Sequence, residues 1–558
     1  MIRYLEGPVF FGMVLILFAG FKLWLISEFA IYGETWAGHD DRHFVNQAAY
    51  ILQGHWLGAY NQLTLIKGPV YPLWLALLDQ SHIPLLSGQE VVYILVCCGF
   101  AVSIKNHSGS FIIGALCFIV AVLYLDVIPR VVREGLYVSL SFGIFVSLAF
   151  CHQSLTGRRV HFILQLSILG ILLSLFWLTR EEGVWLLPSL LICFAYFIYQ
   201  IAIHIDLSVR ERLIRTLLLL LPAIILSVAL CSVKLINGHY YQSYNIVEMN
   251  DAAFVGAYGS LSRVIPVKKI PYVPVSRAVR KKIYQVSPHF RLLEHHLEGS
   301  GPWEAISCET YHDLCGEIAG GWFMWALRDA VAAAGFYQNG ATAREFYLNL
   351  KREIDRACSQ KKLSCMAERN TLLPVIAVDE WVHRVWASFQ LGMRYIIELR
   401  MFEPIYLRNQ FLIKNSTGDQ ASLDFFKSVV IGEFAPIEEP SMEPYIKRKW
   451  DTWQFPLSAK LTQFYVFWWP WALASALLLY AFDLFNSLAH QRLPFYLVFN
   501  TSLLVAIVAR VAILAIIDAT SFQGITEIYL SPAYPLVLAW ILSSYVRAWL
   551  RLKISGAS

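Results

Sequence analysis

Two adjacent aspartates, Asp40 and Asp41, are the residues of this chain best suited to chemistry. They stand in the run Trp36-Ala-Gly-His-Asp-Asp-Arg-His-Phe44, directly after the first hydrophobic segment. Side-chain packing gives no reason to place two carboxylates where an apolar segment meets water. A carboxylate at such a place can take a proton from a hydroxyl group, bind a cation or orient a phosphate. The pair therefore predicts a functional site at a membrane surface.

More charged residues lie in loops that the hydropathy pattern places on the same side as the aspartate pair. The set comprises His39, Arg42, His43, Lys67, Arg130, Arg133, Glu134, Arg180, Glu181, Glu182, Asp518 and Glu527, and Arg510 lies within a span toward that side. Arginine and lysine hold phosphate oxygens and stabilise a phosphate leaving group. With a carboxylate base they suit a substrate whose phosphate is carried on a lipid. A lipid-phosphate sugar is the activated donor expected outside the cytoplasm, where nucleotide sugars are absent.

Each of these charges also has a structural interpretation. Either aspartate can cap the helix that the next residues predict, although capping needs only one carboxylate. Arg130 and Arg133 can anchor at lipid headgroups, and the charges at 180–182 can neutralise one another. Arg510 differs from them, because a charge inside a span is costly and favours a functional role.

A metal site is a further alternative for the same loop. His39 and His43 stand four residues apart around the two aspartates, and imidazole and carboxylate groups are metal ligands. The pattern is weak, so the sequence assigns no metal ligand and no certain cofactor. A divalent cation near Asp40 and Asp41 stays open.

The composition is that of a polytopic membrane protein. The 558 residues are 57% hydrophobic and 15% charged, with a formal net charge of +5 and a mean hydropathy of +0.52. A soluble protein carries about a quarter of its residues as charges. The basic residues are dispersed and form no recognition motif, which argues against nucleic-acid binding.

Ten hydrophobic segments of about 17 to 25 residues are long enough to cross a bilayer as helices. They lie near 8–28, 88–104, 109–126, 135–151, 161–178, 183–203, 214–236, 461–484, 493–517 and 528–547. The first has no cleavage site after it and is expected to be an uncleaved signal anchor. The stretch Pro69–Leu78 is apolar but short, and we expect a helix in the interface there.

With that count, alternate loops collect the basic residues. One side receives Lys105, Arg158, Arg159, Arg210, Arg212, Arg215, Arg492, Arg547, Arg551 and Lys553. The positive-inside rule makes that side the cytoplasm. The aspartate pair and the residues 237–460 then lie on the extracytoplasmic side.

The predicted organisation has three parts. Residues 1–236 form a transmembrane module whose first outer loop, 29–87, carries the site; residues 237–460 form a mainly helical inserted domain; residues 461–558 form the last transmembrane helices. Four cysteines lie in the inserted domain, at positions 308, 315, 358 and 365. An even number in an oxidising compartment indicates two disulfides, with three connectivities allowed. We favour Cys308–Cys315 and Cys358–Cys365, which close short loops; a four-thiolate zinc site is the competing interpretation.

The order of these motifs resembles the GT-C superfamily of integral-membrane glycosyltransferases, closest to the branch of bacterial aminoarabinose transferases and protein O-mannosyltransferases. In that branch an acidic pair follows the first span and begins a juxtamembrane helix ending in glycine, similar to 40–54 here. Lys67-Gly-Pro-Val-Tyr-Pro-Leu-Trp74 and Arg130-Val-Val-Arg-Glu134 are similar to the next two motifs. Ile528-Tyr-Leu-Ser-Pro-Ala-Tyr-Pro535 matches the last one except for its arginine. The likeness covers roughly residues 1–240 and 460–548.

The resemblance implies a sugar transfer from a polyprenyl-phosphate donor to a hydroxyl group of a glycan, lipid or protein, with inversion at the anomeric carbon. It implies a bacterial inner membrane location and an extracytoplasmic active site. Asp40 would be the base, with Asp41 as its partner or as a cation ligand, and Glu134 would orient the acceptor or the sugar or share a metal. The residues implied to bind substrate are Lys67, Arg130, Arg133, Arg180, Arg510 and Tyr529.

Three other functions stay open from the sequence. An O-antigen ligase or polymerase also has large outer loops and arginine pairs, but it needs no early aspartate pair. A lipid-sugar flippase or transporter predicts charges deep within several spans and a repeat of the helical pattern. Only Arg510 was identified as such a charge, and no repeat was found. A non-catalytic sensor leaves the charges at the membrane edge unexplained.

Overall fold

The computed structural model describes residues 7–299, 301–373, 378–401 and 414–555. This part of the chain is helical and has three isolated β-bridges in place of a sheet. Nine of its helices are long and apolar enough to cross a membrane. They are Pro8–Ile26, Leu85–Ser108, Glu134–Ser154, Arg159–Thr179, Gly183–Ile203, Val209–Tyr241, Gln454–Ala489, Phe495–Thr520 and Glu527–Lys553. The chain is therefore a polytopic helical membrane protein.

The tenth predicted span, 109–126, differs from the prediction. Its helix is Phe111–Val122, of 12 residues, and it reaches only about 18 Å at 1.5 Å per residue. Ser110 caps this helix by accepting a hydrogen bond from Ile113 N. The residues 124–129 that follow have no regular secondary structure. The prediction of ten full-length spans was therefore wrong at this segment, where the apolar sequence continues but the helix does not.

The stretch predicted to stay out of the membrane is a helix of 11 residues, Val70–Gln80. That length covers about 17 Å and is too short to cross, as predicted. The helix packs against a second short helix, Asp41–Leu52. These two short helices follow the first span: the aspartates stand at the start of the Asp41–Leu52 helix, and Lys67 lies in the loop that joins the two helices.

The ends of the spanning helices gather into two groups. At one end the ring of His107 stacks on Phe495 at 5.0 Å and lies 5.7 Å from His152, and Arg215 donates to the carbonyl of Leu155 at 2.6 Å. The aspartate pair and its neighbours lie at the other end. We call these the opposite end and the cluster end. The grouping agrees with the predicted alternation of the loops.

The region 237–460 is divided between two hydrophobic cores. Side chains from Val247 to Leu363 form a core of their own. Side chains from Ile396 to Phe434 belong instead to the core of the transmembrane helices. The helices of the region are Ala252–Ser262, Arg277–Tyr284, Pro288–Arg291, Glu294–Leu297, Pro302–Thr310, Gly320–Ala333, Gly340–Ser359, Val378–Glu398, Gln420–Val429 and Glu439–Trp450. The first part is thus a compact unit, and the second part packs on the membrane module.

The four cysteines of this region form the two local disulfides that we favoured. Cys308 is bonded to Cys315, and Cys358 is bonded to Cys365. The pairing is confirmed, and the competing four-thiolate zinc site has no thiolates left to form it. Six further cysteines are free.

Alkylation of the denatured protein tests this pairing. We expect a thiol reagent to modify six cysteines before reduction and all ten after reduction, because four are held in disulfides. Intact-protein mass spectrometry counts the modifications. If ten thiols react in denaturant and chelator without a reductant, the disulfides are absent and the zinc alternative returns.

Candidate active site

Asp40 and Lys67 form the exposed centre of the candidate site. Asp40 occupies the N-cap position of the Asp41–Leu52 helix, but its side chain accepts no capping hydrogen bond. Its carboxylate pairs instead with the ammonium of Lys67, and its side chain is 51% exposed against 8% for Lys67. Burial raises the pKa of Asp40, but the charges of Lys67, Arg130 and Arg133 outweigh burial and hold that pKa well below its ordinary value. Asp40 is thus an ionised carboxylate open to a substrate.

Asp41 has the opposite environment. It is completely buried, and the Arg130 guanidinium contacts it at 2.8 to 3.1 Å. Burial raises the pKa of Asp41 to about 7, although Arg130 acts against that rise. Two neighbouring carboxylates with pKa values pushed in opposite directions take different roles. Asp40 is available for chemistry, and Asp41 attaches its helix to the segment that carries Arg130.

Arg180 lies at the centre of a second group of charges, most of it buried. It donates to Glu134 and lies 3.0 Å from Glu182. Arg510 approaches Glu182 to 3.8 Å and donates to the carbonyl oxygen of Tyr529 at 2.7 and 3.0 Å. Glu134 is 4% exposed and Arg510 is fully buried. In this arrangement Glu134 and Glu182 hold Arg180 in place and Arg510 contacts Glu182. Glu134 and Arg510 have little surface of their own to offer a substrate.

The two groups act as one electrostatic unit. Arg133 pairs with Glu181 at 2.8 Å, and its charge acts on both Asp40 and Lys67. The charge of Glu134 also acts on Lys67. We call the whole set the charged cluster: Asp40, Asp41, Lys67, Arg130, Arg133, Glu134, Arg180, Glu181, Glu182 and Arg510. Its five cations and five carboxylates balance, so an arriving anion must take a cation from its carboxylate partner.

The ring of Tyr529 completes the side of the cluster near Arg180. Its centre lies 5.0 Å from the Arg180 guanidinium carbon, a distance typical of a cation–π contact. The cluster together with Tyr529 thus contains every residue that the resemblance implied for the site. These residues come from the start of the Asp41–Leu52 helix, from the loop before Val70–Gln80, and from segments in or next to five spanning helices.

Lys67 is fixed by a close approach of the backbone. Gly68 follows it, and a Cβ atom added to Gly68 would lie 1.9 Å from the carbonyl oxygen of Leu178. On its other side the Lys67 ammonium lies 4.8 Å from the centre of the Phe44 ring. Glycine at 68 therefore allows the loop to press against the end of the Arg159–Thr179 helix.

The chain that leads into the aspartate pair is held by the later part of the inserted region. Ile31 N donates to the carbonyl of Glu433 and Ala435 N donates to the carbonyl of Ile31, both at 2.8 Å. Thr417 N donates to the carbonyl of Gly33 at 2.9 Å. These backbone hydrogen bonds hold Ile31 and Gly33, in the middle of the segment 27–39 that joins the first span to Asp40.

Two tryptophans of the compact unit, Trp303 and Trp325, pack against His39, the residue that precedes Asp40. The ring of His39 lies edge-on to Trp303 at 4.9 Å and to Trp325 at 4.6 Å, and Trp303 donates to Asp329 at 2.7 Å. Both tryptophans are partly exposed. They are more than 260 residues from His39 and carry no motif, so inspection of the sequence did not find them.

The arrangement does not fit a divalent cation. The carboxylates of Asp40 and Asp41 are paired with two different cations, Lys67 and Arg130. A metal ion would have to displace Lys67 or Arg130. Across the described ranges no three His, Cys, Asp or Glu side chains come together as a metal site. No step below uses a metal.

Buried charges within spans are more numerous than the sequence analysis recognised. Besides Arg510, five charged residues in the described spanning helices are buried: Lys22, Glu90, Glu134, Arg215 and Asp483. Lys22 lies 3.2 Å from Glu90 and donates to the carbonyl of Tyr124 at 2.7 Å. The statement that Arg510 was the lone charge within a span was wrong. All of them except Glu134, which directly precedes the span 135–151, stand within the predicted spans, so the sequence contained the signal.

Comparison with known proteins gives no relative. No family model, no curated protein and no solved structure matches the chain. The function must therefore be argued from the site itself and from the resemblance of its motifs.

Replacing Gly68 by alanine tests how Lys67 is held. We expect the G68A protein to lose about 1–3 kcal/mol of stability, because the added methyl group overpacks the contact with Leu178. Thermal unfolding in detergent measures this as a lower melting temperature. The matched control is Gly38→Ala, since a Cβ atom at Gly38 meets nothing within 4 Å. Equal melting temperatures for the two variants would contradict the close approach.

Replacing Arg130 by glutamine tests the environment of Asp41. The pKa of Asp41 is about 7 in the folded protein, against an ordinary pKa near 4. The folded protein therefore holds this proton more strongly than the unfolded chain does. The contribution of Asp41 to stability falls as the pH rises from about 4 to about 7. Without Arg130 the ionised carboxylate is buried alone, which costs about 3–5 kcal/mol. We expect R130Q to melt below the wild type, by a larger margin at pH 8 than at pH 5.

The exposed Arg42 provides the control for this change, because R42Q also removes one arginine charge, from the residue that follows Asp41 in the sequence. R42Q should show little loss at either pH. A loss in R130Q that is equal at pH 5 and pH 8 would mean that Asp41 does not titrate in this range.

Proposed function

We propose that this protein is a membrane glycosyltransferase, which moves a sugar from a polyprenyl-phosphate donor to a hydroxyl acceptor at the extracytoplasmic face. One observation carries the proposal: an ionised, half-exposed carboxylate, Asp40, is paired with the buried ammonium of Lys67 at the mouth of a charged cluster at the membrane edge. The motif resemblance to the GT-C superfamily and the distribution of basic loops add support.

Because each cation of the cluster is paired with a carboxylate, binding of the donor phosphate would free a carboxylate to act as the base. Its phosphate would attract the ammonium of Lys67 and the partly exposed guanidinium of Arg130, whose side chain is 22% exposed. Asp40 would then lose its counter-charge. Since burial alone raises the pKa of Asp40, the carboxylate would become a stronger base once the donor is bound. Donor binding and activation of the base are thereby linked.

The transfer itself is a single displacement. The acceptor oxygen forms a bond to the anomeric carbon while the bond from that carbon to the phosphate oxygen breaks. The proton of the acceptor hydroxyl moves to Asp40, and the electron pair of the broken bond stays on the phosphate. Lys67 and Arg130 stabilise the charge that develops there. Attack from the side opposite the phosphate inverts the anomeric configuration.

The location of the cluster supports a lipid-linked donor. Its residues stand at the ends of spanning helices, so a phosphate bound there can leave its isoprenoid chain between those helices and the bilayer. The loops at the opposite end carry Lys105, Arg158, Arg492 and Arg547, and the positive-inside rule makes that end cytoplasmic. The cluster end is then extracytoplasmic, in the inner membrane of a bacterium.

The compact unit supports a role in acceptor binding. Arg328 donates to the carbonyl of Gln62 at 2.6 and 3.1 Å and contacts Glu248 at 3.1 Å, which holds the unit on the loop before Lys67. Sugar rings present C–H groups that pack on aromatic faces, and Trp303 and Trp325 offer such faces next to Asp40. An acceptor bound against them would present its hydroxyl group to the base.

Replacing Asp40 by asparagine tests the proposed base. We expect D40N to transfer sugar from a radiolabelled polyprenyl-phosphate donor about 10²- to 10⁴-fold more slowly, the usual contribution of a positioned base. Binding of the donor lipid should persist, because Lys67 and Arg130 remain. Transfer is measured with the purified protein in detergent against a mixture of envelope acceptors.

The control is Asp79→Asn, which removes a carboxylate from the end of the neighbouring Val70–Gln80 helix. D79N should keep full activity. Undiminished transfer by D40N would exclude Asp40 as the base. Use of a polyprenyl-diphosphate donor alone would favour the ligase or polymerase alternative, and movement of the lipid-linked sugar across vesicles without transfer would favour a flippase.

A further inference from the structure

A large cavity lies at the opposite end of the molecule, far from the charged cluster. It has a volume of about 1070 Å³ and is lined where four spanning helices end: Gly183–Ile203, Gln454–Ala489, Phe495–Thr520 and Glu527–Lys553. Three of these helices also reach the charged cluster. Glu182 directly precedes Gly183–Ile203, Arg510 lies in Phe495–Thr520, and Tyr529, beside the cluster, lies in Glu527–Lys553. The cavity and the cluster are therefore separate sites at the two ends of one helix bundle.

The polar part of the cavity carries an excess of positive charge. Asp483 is 3% exposed and pairs with Arg551, while Arg547, one turn away on the same helix, lies 3.3 Å from it. The side chain of Arg492 is exposed on the rim. Three arginines and one aspartate leave two positive charges. A carboxylate buried in a span is costly without such partners, so this polar group is a built feature.

The remaining wall is apolar and continues onto the surface that faces the bilayer. Ile203, Phe482, Leu493 and Leu552 line the cavity, and each is among the large exposed hydrophobic side chains, at 48 to 71%. A free inorganic anion would gain nothing from these side chains. An amphiphile with an anionic head and hydrocarbon chains would satisfy both parts of the wall.

We propose that this cavity binds an anionic membrane phospholipid from the leaflet opposite the charged cluster. The phosphate lies against Arg492, Arg547 and Arg551, and the acyl chains lie along Phe482 and Leu552. The volume exceeds the range of about 300–1,000 Å³ that holds a drug-sized ligand, which suffices for a lipid headgroup and the start of its chains. Basic pockets between helices on the cytoplasmic side suit anionic headgroups. The proposal does not depend on the glycosyltransferase assignment.

The test compares lipid binding by the full-length protein in detergent. Native mass spectrometry, or thermal shift on adding lipid, is carried out with phosphatidylglycerol, with phosphatidylcholine of the same chains, and with inorganic phosphate. We expect phosphatidylglycerol to bind at least tenfold more tightly than phosphatidylcholine, and inorganic phosphate at millimolar concentration to leave that preference intact.

Two variants change the charge of the cavity in opposite directions. R492Q should bind phosphatidylglycerol about five-fold more weakly, the typical effect of one basic residue at a lipid surface. D483N should bind it more tightly, since the excess of positive charge grows. K553Q is the matched control: it removes a positive charge from the same end of the last helix, outside the cavity, and should leave binding unchanged.

Equal binding of the two phospholipids would overturn the proposal. So would full competition by inorganic phosphate, which would show that the site needs no lipid chain, or an equal loss in R492Q and K553Q. Arg492 is exposed, and its replacement leaves the buried ion pairs of Asp483 intact. We therefore expect R492Q to fold, so that a change in its lipid binding reports the loss of the charge.

Discussion

The ion pair between Asp40 and Lys67 joins the start of the Asp41–Leu52 helix to the loop that precedes the Val70–Gln80 helix. The other charges of the site are arranged around this pair. Lys67 is almost inaccessible to solvent, and an ammonium in that position is stable only with a counter-charge close by. Asp40 supplies that charge, and by doing so it leaves the capping role that its position on the helix offers. The loop before Lys67, the short helix after Gly68 and the Asp41–Leu52 helix are all held in register by this contact.

The charged cluster extends the same principle to ten residues. Each cation has a carboxylate neighbour, and the partners come from loops that are far apart in sequence: Arg180 pairs with Glu134, and Arg133 pairs with Glu181. Such pairs stabilise little in total, because the desolvation of both charges offsets their attraction. Their effect is on position. The spanning helices bring these loop ends to one level, and the ion pairs then fix the side chains there.

The sequence predicted those parts of the fold that depend on local composition. Long apolar runs became spanning helices, the short run at Val70–Gln80 did not, and cysteines seven residues apart formed local disulfides. The prediction failed at 109–126, since hydropathy measures only the apolar character of a segment and does not register that the helix ends at Val122. In residues 124–129 a carbonyl group accepts a hydrogen bond from a distant side chain and not from a following turn of helix, as Tyr124 accepts from Lys22.

The candidate site was predictable in its members and not in its contacts. A charge at a membrane edge is visible in the sequence, so Asp40, Lys67, Arg130 and Arg180 were found. Which cation meets which carboxylate depends on side-chain direction and on packing between distant helices, as the burial of Arg510 against the Tyr529 carbonyl illustrates. The two tryptophans beside His39 belong to a separate core and carry no motif, so composition and spacing give no hint of them.

The two ends of the bundle differ in charge balance, and this difference bears on how each would handle a phosphate. In the cluster every cation is matched by a carboxylate, so a bound phosphate replaces one ion pair by another at small net gain. A site of that kind would release its product, as the proposed sugar transfer requires. In the cavity the arginines outnumber the single aspartate, and a bound phosphate neutralises charge that is otherwise uncompensated. We infer that the cluster is suited to exchange of a lipid phosphate and the cavity to lasting retention of one.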